Sequence, residues 1–185
     1  MLSLDHPRDL VMIGAVFGVA AFAWAGWAQE QPPHQVLWRI LLGVLSAAGL
    51  VLVALSVPAA IAHWDAATAI DPRTTGFTVY TIVFWAEVAV AVVLSIVAVK
   101  VGRADLIAPL ILGVVGIHFF ALAAVFHQPL LHLVAAVLTV IAGVAALIPG
   151  GAALPSFWCG VLATPVFLAA GAWCCFVGRD VLSTA

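Results

Sequence analysis

Six apolar runs, each about long enough to cross the hydrocarbon of a bilayer, dominate this chain. A helix rises 1.5 Å per residue, so about 20 mostly apolar residues span roughly 30 Å. Such runs cover residues 10–28, 36–62, 79–99, 106–126, 130–148 and 157–177. They are continuously apolar rather than alternating, which favours helices over a barrel. The expected fold is all-α: a polytopic membrane protein with six transmembrane helices in one bundle, a single domain over 1–185, and both ends on one side.

The breaks between runs have clear chemistry. Gln29-Glu30-Gln31-Pro32-Pro33-His34 closes the first, because paired prolines cannot extend the backbone ladder. Lys100-Val101-Gly102-Arg103-Ala104-Asp105 separates the third and fourth, and Pro149-Gly150-Gly151 ends the fifth. His127-Gln128-Pro129 is so short that helices four and five should be antiparallel neighbours. The one long connection expected is His63 to Thr78.

Composition removes whole classes of function. Apolar residues make up 66% of the 185 and charged residues 8%, against roughly 25% charged in a soluble domain. Six Lys plus Arg against eight Asp plus Glu leave a net charge of -2, which offers no basic field for nucleic acid. Cys159, Cys174 and Cys175 form no CxxC pair and read as small apolar helix residues. The first run is expected to be a retained helix rather than a cleaved signal, since Asp5 and Asp9 flank its only basic residue, Arg8. Arg8, Arg73 and Arg179 on the side of the termini balance Arg39, Lys100 and Arg103 on the other, so the positive-inside rule gives no orientation. The Ala- and Val-rich composition points to a GC-rich bacterial genome, hence to a bacterial inner membrane as the expected location.

Glu87 carries the most information. A charge at mid-membrane costs about 3 kcal/mol on insertion scales, while each Val, Ile, Leu or Phe returns some 0.3 to 0.6. The twelve such residues in 79–99 outweigh one carboxyl, but the cost calls for a reason. His118 supplies a partner: both residues lie about 12 Å from the side of the termini by helical rise. Antiparallel neighbours would bring carboxyl and imidazole together to share a proton.

Steps of three and four put Tyr80, Phe84, Glu87, Ala91 and Ser95 on one face of helix three. That face is the expected wall of a pathway, to which Trp85, Thr139, Thr164 and Pro165 are added as possible lining. The alternative is that the pair simply fixes helix packing. Small-residue stripes mark close backbone approach: Gly14, Gly18, Ala21, Ala25; Ser46, Gly49, Ser56, Ala60; His132, Ala136, Thr139, Gly143, Ala146; Gly160, Thr164, Gly171, Cys175. Pro58 and Pro165 inside helices should bend them. Arg39 is expected to answer Glu30 or reach headgroups. Trp27, Trp38, Trp64, Trp158 and Trp173 read as an aromatic belt, while Trp24 and Trp85 lie deeper.

No cofactor is expected, and no metal. His63, Asp65, Asp71, His127 and His132 lack the His-x-x-x-His spacing that fixes ligands on one face. No CxxCH motif for haem and no nucleotide or nucleophile signature occurs, so an enzyme is not the first expectation.

There is also a faint internal echo. Gln31-Pro-Pro-His34 precedes helix two as Gln128-Pro-Leu-Leu-His132 enters helix five, and Phe84-Trp85-x-x-Val88 matches Phe157-Trp158-x-x-Val161. A 3+3 inverted repeat, as in many transporters, would account for it. The leading expectation is a small channel or carrier for a small solute or ion, proton-coupled through Glu87 and His118. Its partners would be the bilayer, the solute, and itself or another membrane protein. The alternatives are a non-catalytic scaffold or accessory subunit and, more remotely, a membrane-embedded lipid or quinone enzyme.

Overall fold

The computed structural model describes residues 2–148, 151 and 153–184. Its helices are α1 (Pro7–Trp27), α2 (Val36–Ala62), α3 (Thr75–Lys100), α4 (Ile107–Val125), α5 (Pro129–Leu147) and α6 (Pro155–Thr184), with a single 3-10 turn at Ala104–Leu106 before α4. Among the described residues there is no strand, and six helices are long and apolar enough to cross a membrane. Proline sits at the start of α1 and α5, where its missing N–H costs no intrahelical bond. Pro149 and Gly150, part of the break expected after the fifth helix, lie outside the described residues.

Several helix ends differ from the expectation, for physical reasons. Hydropathy marks the apolar slab, whereas a helix ends where its hydrogen bonds end. Thus α6 runs on through Arg179 and Asp180 to Thr184, and α1 begins three residues earlier, at Pro7. The connection after α2 is shorter than His63 to Thr78, because the Thr74 hydroxyl accepts from the Phe77 N–H and starts α3 at Thr75. The α3–α4 and α4–α5 joints begin with Schellman turns. Arg103 N–H donates to the Ala98 carbonyl across left-handed Gly102, and Gln128 N–H donates to the Ala123 carbonyl across left-handed His127, at φ 49°.

The helices divide into a tight group and an outlier. α1 packs along both α2 and α6, α4 packs along α5, and α6 also touches α2, α4 and α5. Phe17 of α1 meets Phe119 of α4 and Phe167 of α6 edge-on, with ring centroids 5.3 and 5.4 Å apart, at the centre of the main apolar core. By contrast, α3 packs appreciably on α4 alone among the helices, and Ala98 is its only buried residue.

Small residues make the tight group possible. A methyl group on Gly18 would meet the Gly49 carbonyl at 2.8 Å, and one on Gly14 would meet both Cys175 and Ser56 at 2.8 Å. Gly160 lies against the Trp24 carbonyl in the same way. The stripe expected on the fifth helix is misplaced: His132, Ala136 and Gly143 are exposed, while α5 buries Leu131, Val134, Ala135, Leu138, Ile141, Ala142 and Ala145. Thr139, half-buried against Gly116 of α4, is the member of that stripe that makes a close approach.

Candidate functional site

Glu87 sits at the midpoint of α3, whose 26 residues span Thr75–Lys100. Tyr80, Val83, Glu87, Ala91, Leu94 and Ala98 recur at three- and four-residue steps and form the seam turned to α4. His118, near the middle of α4, projects into that seam. Its Nδ1 lies 3.1 Å from Oε2 of Glu87, and the two side chains are 8% and 17% exposed. The approach is a close polar contact without hydrogen-bond geometry, because Nδ1 is not aligned with an acceptor. The imidazole is braced by the edge of Phe119, 5.8 Å away between centroids, and Phe119 belongs to the central aromatic cluster. The contact therefore links an outlying helix to the core.

The residues expected to line a pathway divide sharply. Tyr80 is half-buried, stacked on Phe84 at 6.5 Å and edge-on to Phe126 at 6.3 Å. It borders a crevice of about 120 Å³ with Asp9, Ile70, Phe119 and Phe126, which does not include Glu87 or His118. The Ser95 and Thr139 hydroxyls are committed to carbonyls of their own helices, at 2.7 and 2.8 Å. Thr164 is fully buried with no hydrogen-bond partner.

Two of the expected lining residues face outward. Trp85 is 63% exposed and Pro165 is also exposed, so both stand on the outer surface. Phe84, next to Trp85, is partly turned outward as well. One residue of α3 occupies 100° of arc, so a helix gripped along a single narrow seam leaves the neighbours of each seam residue outside. Trp24 is buried and stacked on Trp27, with centroids 5.4 Å apart.

Elsewhere, one polar assignment changes. Arg39 does not reach Glu30. Its guanidinium donates to the Gln29 carbonyl, while the Glu30 carboxylate accepts from Trp27 and Ser156. His63, Asp65, Asp71, His127 and His132 do not converge, and no group of three or more metal-capable side chains occurs among the described residues.

A polar cluster at the start of α1 escaped the sequence reading. Asp9, 3% exposed, accepts from the Thr68 hydroxyl at 2.8 Å and the Ala69 N–H at 2.7 Å. Arg8, 8% exposed, donates to the Trp64 carbonyl at 2.6 Å and lies 5.0 Å under the Trp64 ring. Together they staple the connection between α2 and α3 to the first turn of α1. Pro7 was the available signal: at the first helical position, it places Asp9 in the first turn, where a carboxylate is favoured.

No family model, curated protein or solved structure matches this chain.

Proposed function

We propose that the chain is a multi-pass membrane protein, its six helices gathered in one bundle, acting as a small channel or carrier for an ion or small solute. Glu87 and His118 are its protonatable centre. The observation that carries this reading is the 3.1 Å contact between a carboxylate and an imidazole halfway along two apolar helices. Ionisable groups at that depth are expensive and mark proton relays or ion paths more often than inert packing. The helix holding Glu87 is also the one with the fewest packed neighbours, and is thus the element best able to move when the pair changes protonation. A 3+3 inverted repeat is supported by the order of packing: α1 lies between α6 and α2 as α4 lies between α3 and α5.

A second reading rests on a different observation. The crevice beside Tyr80 stops short of the pair, and the outward face of α3 is bare along Val79, Ile82, Val92, Val93 and Ile96. In an accessory subunit Glu87 and His118 would hold α3 in place while that face meets another membrane protein.

Proton flux separates the two. Purified protein is reconstituted in liposomes, a potassium diffusion potential is imposed with valinomycin, and interior pH is followed with a trapped dye. The carrier reading expects proton entry above that of empty liposomes, lost in Glu87→Gln and His118→Gln variants that unfold at the wild-type temperature. Equal flux in wild type and Glu87→Gln would overturn it. Flux no greater than empty liposomes, together with variants that unfold at lower temperature, would leave the subunit reading.

A further inference from the structure

Between the last turns of α2 and α6 lies a crevice of about 370 Å³. Its apolar wall is Ala54, Leu55, Pro58 and Ala59 of α2, with Leu182 of α6. The polar residues on its border are His63, Arg179 and Ser183. From Ala54 to His63 the α2 wall extends roughly 13 Å along the helix. Charge and hydroxyl groups therefore mark one end of an apolar trough.

Arg179 distinguishes this place from the rest of the surface. Arg8 is bound to Asp9 and Trp64, Arg39 to the Gln29 carbonyl, and Arg103 to Asp105. Arg179 is exposed, and no described carboxylate forms an ion pair with it. Arg73 and Lys100 are likewise without an ion pair among the described residues, but neither borders this crevice. His63 commits Nδ1 to the Ala59 carbonyl at 3.0 Å, which leaves Nε2 for a ligand. The Ser183 hydroxyl donates to the Asp180 carbonyl at 2.8 Å and keeps its oxygen lone pairs to accept. A larger crevice of about 470 Å³ between α5 and α6 has only apolar side chains around it and no charge to select an occupant.

We infer that the α2–α6 crevice binds an anionic phospholipid, with the phosphodiester on Arg179 and an acyl chain along Ala54, Leu55 and Pro58. This rests on the membrane reading above but not on transport. An unpaired guanidinium favours a phosphate oxygen pair geometrically, and a net anionic lipid satisfies it without bringing a second cation. The headgroup has hydroxyls in reach of His63 Nε2 and Ser183 Oγ if it is phosphatidylglycerol. One chain laid in the trough covers apolar wall that no other helix covers.

The test is retention of lipid by the purified full chain, read by native mass spectrometry after equilibration in phosphatidylcholine nanodiscs containing phosphatidylglycerol. Wild type is expected to retain phosphatidylglycerol in preference to phosphatidylcholine. Arg179→Gln should weaken that preference about fivefold, the effect of one basic residue near a membrane surface, and Arg179→Lys should restore most of it. Ala54→Phe, which fills the trough and leaves the charge, should also reduce retention, while Arg73→Gln should not. Equal preference in wild type and Arg179→Gln, or equal loss in Arg73→Gln, would overturn the inference. So would full displacement of the lipid by inorganic phosphate at constant ionic strength, which would indicate a free-anion site. Proton flux is not involved, so this result stands or falls apart from the carrier reading.

Discussion

The contact of α1 with α2 and α6, and the contact of α3 with α4, join apolar helices by opposite means. In the first, glycines at 14, 18, 49, 160 and 171 let backbones approach until a single added methyl group would overlap its neighbour. In the second, the helix seam has Ala91 and Ala98 as its small residues, α3 buries one residue, and a carboxylate meets an imidazole midway. Helices in lipid gain little from the hydrophobic effect, so they need either close dispersion contact or polar bonds. One joint uses backbone proximity and the other a polar contact. Only the second can be altered by adding or removing a proton.

The largest expected effect falls on the first joint. Gly160→Val would drive its side chain into the Trp24 carbonyl and Ala28, and should cost at least about 3 kcal/mol in a reversible unfolding titration in mixed micelles. Gly26→Val, on the same contact's outer side with nothing within 4 Å, should cost less than about 1 kcal/mol. Similar losses for the two would mean that backbone proximity is not what binds α1 to α6.

Next comes the staple that leads into α3. Asp9→Ala removes the acceptor of Thr68 and Ala69 and leaves Arg8 buried beside it, for a loss of about 2 kcal/mol. Limited proteolysis should then cut within residues 63–74 several times faster than in wild type. A connection as resistant as before would show that it is held by something other than α1.

The smallest effect is expected at the seam itself. A double-mutant cycle of Glu87→Gln and His118→Gln should give a coupling of about 1 kcal/mol. Zero coupling would remove the pair as the fastening of α3 and widen the difference between the joints. A value near 3 kcal/mol would make the polar contact as strong a fastening as backbone contact.

The level of Glu87 and His118 along their helices was readable before any coordinates, because helical rise is constant and the short connection Lys100-Val101-Gly102-Arg103-Ala104-Asp105 leaves little room for offset. The direction of the small-residue faces on helices one, two and six was readable too. What misled was rotation about the helix axis. Trp85, Pro165, His132, Ala136 and Gly143 stand on the outside because the buried arc of α3, α5 and α6 depends on which neighbours they meet, and the helix faces there are apolar on every side. Arg8 and Asp9 were visible as charges next to an apolar run, but their partners lie 56 to 60 residues away in a loop. Nothing local encodes that distance.

Hydropathy and turn chemistry, read along the chain alone, determined that it forms six long apolar helices, where the joints between them fall, and that one acid is stranded among hydrocarbon. Those properties are local: each follows from the solvent preference and backbone limits of a short stretch. Tertiary structure alone decided that α3 is the outlier, that the loop before it is tied to α1, and that Arg179 borders an open trough. Such outcomes depend on which surfaces fit together, and among helices equally greasy on every side only shape and a few polar contacts choose.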